Sequence, residues 1–159
     1  MGENGRMSKT VQPIPEGFHT LTPYLIVGDA EKELEFIKAA FNAQLIHLSR
    51  GPDGSIGHVT AKIGDSMLMM GRRSGEYPAM PAMLYMYVPD VDAVYKRALE
   101  CGAKSVREPA DQVYGDRSGG VVSANGIHWW FGTHIEDVSE EELEERAKAM
   151  RSKQGGETT

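Results

Sequence analysis

A chain of 159 residues, 40% apolar and 25% charged, is enough for one compact domain or two small modules sharing a core, and none of its apolar runs approaches a membrane span. The formal net charge of −6, its excess gathered largely between Glu136 and Glu145, and the lack of a basic stripe argue against nucleic acid as a partner. A single cysteine, Cys101, excludes an internal disulfide and a cysteine-based zinc site, and with the polar start Met1-Gly-Glu-Asn-Gly-Arg6 it points to the cytoplasm.

Residues 1–17 are polar, contain Gly and Pro without periodicity, and are expected to form a disordered arm. Tyr24-Leu-Ile-Val27 reads as a strand ended by Gly28-Asp29, and Asp29 can cap a helix whose stripe is Leu34, Ile37, Ala40 and Phe41. Ala43 to Ser49 suits a strand, Gly51-Pro-Asp-Gly54 is a turn, and His58 to Ile63 alternates as a half-buried strand does. Gly64-Asp65-Ser66 turns into a further strand, Met67 to Met70. The order β-α-β-β-β then repeats. Leu84 to Val88 is a strand, Asp90 opens a helix striped by Val91, Val94, Tyr95, Ala98 and Leu99, and Gly102 ends it. Lys104 to Arg107 reads as a short strand, Tyr114-Gly-Asp-Arg117 as an irregular segment, and Gly119 to Ser123 as extended chain. Asn125-Gly126 marks a hairpin turn before the last strand, Ile127 to Thr133. Ser139-Glu-Glu-Glu142 is a capping box opening an acidic helix within 136–151, and 152–159 are expected to be a disordered tail. The fold class is therefore α+β, one domain over 18–135 built from modules at about 18–72 and 82–135.

With the repeat laid out, the chain resembles the vicinal oxygen chelate superfamily (glyoxalase, bleomycin resistance protein and dioxygenase), and within it the PhnB-like branch. The resemblance rests on Pro23 to Asp29 running into a helix with Phe36 and Phe41, and on Val88-Pro-Asp-Val-Asp92 running into a helix closed by Cys101-Gly-Ala103. Tyr114-Gly-Asp-Arg117, Gly126-Ile-His-Trp-Trp130 and Thr133-His134 complete it, while Ser123-Ala-Asn-Gly126 departs from the family's usual Asp-Pro-x-Gly turn. It implies two βαβββ modules curled into a cup-shaped mixed sheet with helices outside, and a homodimer. It also implies that the metal-ligand positions of metal-dependent members fall here on Thr22, Met69, Met83 and Trp130. Thr, Met, Met and Trp are no ligand set for a catalytic divalent ion, so neither metal nor other cofactor is expected.

Alternation assigns Tyr24, Met69, Met83, Tyr85, His128 and Trp130 to the concave face, an aromatic and thioether lining suited to flat or hydrophobic small molecules. The same residues could equally fill a core. Arg117 is a candidate to clasp a ligand carboxylate or phosphate, or else part of an Asp116–Arg117 loop folded on itself. His58 and His128 are weak candidates for acid–base work or a displaced metal site, against a plain role as rim histidines. His128 and His134, six residues apart on one strand, are separated by about 20 Å and cannot share an ion. The leading expectation is a metal-independent binder of an aromatic or amphipathic small molecule. The alternatives are a glyoxalase-, isomerase- or dioxygenase-like enzyme around His58 and His128, and a filled-cup protein acting through partner contacts.

Overall fold

The structure, a computed structural model, describes residues 10–155. The first module runs β1 (Tyr24–Val27), α1 (Ala30–Phe41), β2 (Gln44–Arg50), β3 (Ile56–Ile63) and β4 (Ser66–Arg72). The second runs β5 (Ala82–Tyr87), α2 (Val91–Glu100), β6 (Lys104–Asp111), β7 (Asp116–Val122) and β8 (Ile127–His134), and α3 (Glu140–Gln154) follows. The helices start where a carboxylate can hold the orphan amides of the first turn: Asp29 accepts from the Lys32 amide at 3.0 Å and Asp90 from the Ala93 amide at 3.1 Å. Each module folds into a four-stranded sheet, ordered β1-β4-β3-β2 and β5-β8-β7-β6, with the first pair in each order parallel and the others antiparallel.

The register makes the repeat explicit. Tyr24 lies opposite Met69 as Tyr85 lies opposite Trp130, so these residues occupy equivalent rungs of the two sheets. The second module departs from the sequence expectation at β6 and β7. β6 extends to Asp111, with register shifts on both sides of Arg107, and β7 begins at Asp116 rather than at Gly119. Asp116 and Arg117 are therefore strand residues opposite His134 and Thr133, not part of a loop, and successive strand residues face opposite ways. The last helix opens at the Ser139 cap and runs on to Gln154, three residues beyond the expected end. It buries none of its residues and is held by Arg146, which donates to Glu136, Glu142 and the Val113 carbonyl. The terminal parts of the expected arm and tail, 1–9 and 156–159, lie outside the described residues. No described helix is long and apolar enough to cross a membrane.

Both sheets turn their apolar side chains toward the helices and share one core. Val27, Ile37, Val59, Met70, Val91, Val121, Trp129 and Phe131 are each 1% exposed or less. Phe41, at the end of α1, reaches across the modules, its ring 5.1 Å from Trp129 and 5.5 Å from Phe131. Burying a large apolar side chain contributes about 1.5–3 kcal/mol, so this shared layer is the main attraction between modules. Its geometry is set by a polar contact. Glu33 on α1 is 1% exposed, and its two oxygens accept from the Trp129 indole N–H at 3.0 Å and the Asn125 amide at 3.0 Å. Asn125 in turn accepts from the Asp29 amide N–H and donates to the Asp29 carbonyl.

Those bonds fix which end of the Asn125 amide faces Glu33. Glu33→Gln, although isosteric, sets its NH2 group against a donor in either orientation, the Asn125 NH2 or the Trp129 indole N–H, and Asn125 cannot flip without losing its bond from Asp29. The substitution is expected to cost about 2 kcal/mol, the order of one buried donor left unpaired. Urea unfolding should show a lower midpoint at unchanged slope; wild-type stability in this variant would mean that the contact does not order the interface.

Candidate functional site

Each sheet has a second face, turned away from the shared core. On the first it carries Tyr24, His58, Thr60 and Met69; on the second, Met83, Tyr85, Tyr87, His128 and Trp130. Because the modules share their helix sides, the lining expected for one cup is divided between two open half-cups. Tyr24, Met83, Tyr85 and Tyr87 are between 40% and 69% exposed.

The aromatic rings pave these faces, and glycines in the neighbouring strands make room for them. A Cβ at Gly71 would lie 2.6 Å from the Tyr24 hydroxyl, and one at Gly120 would lie 2.7 Å from the Trp130 ring. At Gly132 it would fall on the Tyr85 hydroxyl. Glycine inside a strand weakens it and is explained by such close approaches. Tyr24 over Gly71 and Tyr85 over Gly132 are the same device at equivalent rungs. Arg107, from β6, extends over Trp130 at 5.7 Å from its ring centroid, within the range of a cation–π contact. The Trp130 N–H is buried and has no partner among the described residues.

Beside this pavement sits a network that sequence reasoning missed. Asp116, 3% exposed, accepts from the hydroxyls of Tyr85 (3.1 Å) and Tyr87 (3.0 Å) on one oxygen, while its other oxygen lies 2.9 Å from Nδ1 of His134. Nε2 of His134 lies 2.7 Å from Asp137. Burial pushes the Asp116 carboxyl up, but the bonds from His134, Tyr87 and Tyr85 outweigh it and hold the group below its ordinary value. The Tyr85 phenol is pushed up by burial and then by Asp116, and the Tyr87 phenol by its bond to Asp116. His134 is raised by its bonds to Asp137 and Asp116. The available signals were the shared parity of Tyr85 and Tyr87 and the glycine at position 132; the pairing of Asp116 with His134 needed the true start of β7.

On the first sheet, His58 is bracketed by hydroxyls, Nδ1 at 3.2 Å from Tyr24 and Nε2 at 3.1 Å from Thr60, with the His47 ring 6.3 Å away. His128 is on the other sheet and is not among its neighbours, so the two candidate histidines do not converge in one chain. Arg117 is placed on the helix side, where its guanidinium binds Asp92 of α2 at 2.8 and 2.9 Å and Asp111 at 3.1 Å. The clasp over the cup is thereby corrected: strand parity sends Asp116 to the open face and Arg117 to the opposite one. Thr22, Met69, Met83 and Trp130 offer no carboxylate or imidazole, and no three His, Cys, Asp or Glu side chains among the described residues are grouped to hold an ion. This donor set does not fit a divalent metal. A cavity of about 670 Å³ opens at the module junction beside Phe41, Leu68, Leu84 and Trp129. Its walls are chiefly apolar and also include Asp65, Arg97, Tyr85 and Tyr87.

The network makes a pH signature. A raised His134 contributes stability that is complete below its ordinary value of 6.5 and is lost as pH rises through its folded value. A depressed Asp116 contributes stability that is complete above 3.8 and is lost as pH falls through its folded value, so the pair contributes in full between those two limits. Proton NMR of the His134 ring is expected to give a midpoint above 6.5, and Asp116→Asn to bring it down. A midpoint at or below 6.5 in the wild type would contradict the network.

Comparison with known proteins agrees with this architecture. Residues 17–131 match the family model described as the glyoxalase/bleomycin resistance protein/dioxygenase superfamily. An uncharacterised protein of Mycobacterium bovis is 32% identical over 149 residues, covering 85% of this chain and 93% of its own. Among solved structures, TioX from Micromonospora sp. ML1 superposes with a TM-score of 0.64 at 22% identity, covering 72% of this chain and 98% of TioX. TnmS3, an antibiotic binding protein from a Streptomyces species, superposes with a TM-score of 0.60 at 20% identity, covering 78% of this chain and 99% of its own. The matched span, the relative's identity along most of its length and the paired βαβββ modules establish that the chain belongs to the glyoxalase/bleomycin resistance protein/dioxygenase superfamily.

Proposed function

We propose that this protein binds a small aromatic or amphipathic molecule, without a resident metal, on the paved faces of its two modules. The observation that carries the reading is the pavement itself: Tyr24, Tyr85 and Trp130 lie over glycines. Flat, partly exposed rings of this kind suit a planar ligand, and Met69 and Met83 beside them can adapt to its outline. The antibiotic-binding description of one structural neighbour is consistent with it.

The cup is completed by a second copy of the chain. Support comes from the exposure of Tyr24, Met83, Tyr85 and Tyr87, an apolar investment that a monomer would leave in water. It comes also from the back-to-back packing of the modules, which keeps each half-cup from facing the other within one chain. We assign the chain to the PhnB-like branch, on Tyr114 to Arg117 and Gly126 to Trp130, and to the cytoplasm, on its lone cysteine.

Sedimentation is expected to give a two-chain particle at micromolar concentration; a monomer there would remove the closed cup. Naphthalene-based ligands titrated against the protein are expected to perturb the Trp130 indole N–H in NMR spectra. Trp130→Ala should weaken them about tenfold or more while leaving unfolding cooperative, because a stacked ring is lost without a core residue being removed. Binding unchanged in that variant would defeat the reading.

A further inference from the structure

The open face of the second module carries a recognition element whose polarity can be derived. We propose that Tyr85 and Tyr87, polarised by Asp116, bind a protonated amine or amidinium carried on an aromatic ligand. The proposal rests on the small-molecule reading above and adds to it the charge of the ligand's headgroup.

A phenol has one proton and two lone pairs. Both phenol protons are committed to the same oxygen of Asp116, at 3.1 and 3.0 Å, and the other Asp116 oxygen is taken by His134. The phenolic oxygens of Tyr85 and Tyr87, on side chains 40% and 69% exposed, therefore offer an incoming group lone pairs only. A ligand acceptor would find no donor there, whereas an N–H would find acceptors strengthened by their own donation to a carboxylate. The two rings meet edge to face, 5.2 Å apart at 61°, and present π-faces that also favour a cation.

The charge balance agrees. Asp116 and Asp137 flank His134, so a protonated imidazole still leaves the cluster with one negative charge and a neutral one leaves it with two. The cations on this face, Lys104 and Arg107, both belong to β6 at the far edge of the sheet. The rung Tyr85–Trp130–Gly120–Arg107 crosses all four strands and sets the Arg107 backbone about 14 Å from that of Tyr85 by strand spacing, with the guanidinium reaching back over the Trp130 ring. An aromatic cation lying along the pavement thus has its charge drawn to the tyrosine end and repelled from the arginine end. The chain's net charge of −6 favours its approach.

Three probes sharing one ring separate charge from stacking: 1-naphthylmethylammonium, 1-naphthalenemethanol and 1-naphthoate, titrated into isotope-labelled full-length protein and followed by NMR. The cation is expected to bind about fivefold or more tighter than the alcohol and to shift the Gly132 and Trp130 signals. Tyr87→Phe keeps the ring and removes one acceptor from a mostly exposed side chain, so the fold is retained. It is expected to abolish most of that preference, weakening the cation several-fold more than the alcohol, whose single O–H loses the same acceptor. Tyr85→Phe serves as the second variant. Equal affinity for all three probes, or a preference surviving both variants, would overturn the headgroup assignment and leave the paved site standing. Tightest binding of the naphthoate would overturn it in favour of Arg107. Failure of all three probes to bind would overturn both readings.

Discussion

The arrangement of this molecule turns on one buried side chain, Glu33. A carboxylate on the inner face of α1 is tolerated because the second module satisfies both of its oxygens, through Trp129 of β8 and Asn125 of the turn before it. Apolar contact alone would let two helix-covered sheets slide, since the attraction between Phe41, Trp129 and Phe131 is only weakly directional. Two hydrogen bonds to fixed oxygens remove that freedom, and the Asn125–Asp29 pair ties the same turn to the start of α1. The price is that Glu33 must never lack its partners. The gain is a single relative placement of the modules, helix side to helix side, with both paved faces outward.

From that placement the character of the open faces follows. A side chain on an outward sheet face either stands into solvent or lies along the sheet, and a large ring can lie down only where the next strand has no Cβ beneath it. Gly71, Gly120 and Gly132 provide that space. Strand interiors with glycine sacrifice β-propensity and packing, so three such positions under three rings are a cost borne for a flat surface. The recurrence of the tyrosine–glycine pair at equivalent rungs shows that the device belongs to the repeated unit. Trp130 over Gly120 belongs to the second module alone, whose counterparts in the first are Met69 and Thr60.

Much of the fold was legible because its punctuation is chemical. Asp29 and Asp90 announce helices, Gly102 and Asn125-Gly126 end elements, and the period of two in β3 and β8 assigns their faces. Strand parity places Tyr24 with Met69 and Tyr85 with Trp130 on equivalent rungs of the two sheets. What failed was the junction of β6 and β7. Asp116, Arg117, Gly119 and Gly120 have the composition of a loop, and they are in a strand because β8 on one side and β6 on the other supply ladder partners that local propensity cannot reveal. With the strand's start misplaced, Arg117 was sent to the cup and the pairing of Asp116 with His134 stayed hidden. The division of the cup was unreadable for a different reason: Glu33 is 92 residues from Asn125 and 96 from Trp129, and nothing in it names either partner.

The protonation pattern of the Asp116 network bears on what such a surface can do. Proton transfer asks for a group whose affinity lies near that of its partner and whose lone pair or proton faces the reactant. Tyr85 and Tyr87 hold their protons more firmly than free phenols and point them inward. Asp116 is held ionised, with its oxygens already occupied. His134 has carboxylates on both ring nitrogens. His58 on the other sheet is likewise bracketed, by the hydroxyls of Tyr24 and Thr60. Every titratable group in these two networks is thus committed to a neighbour, and what the networks turn outward is fixed dipoles and flat rings. On the binding reading proposed above, an array of that kind would select a ligand by shape and by the sign of its polar groups.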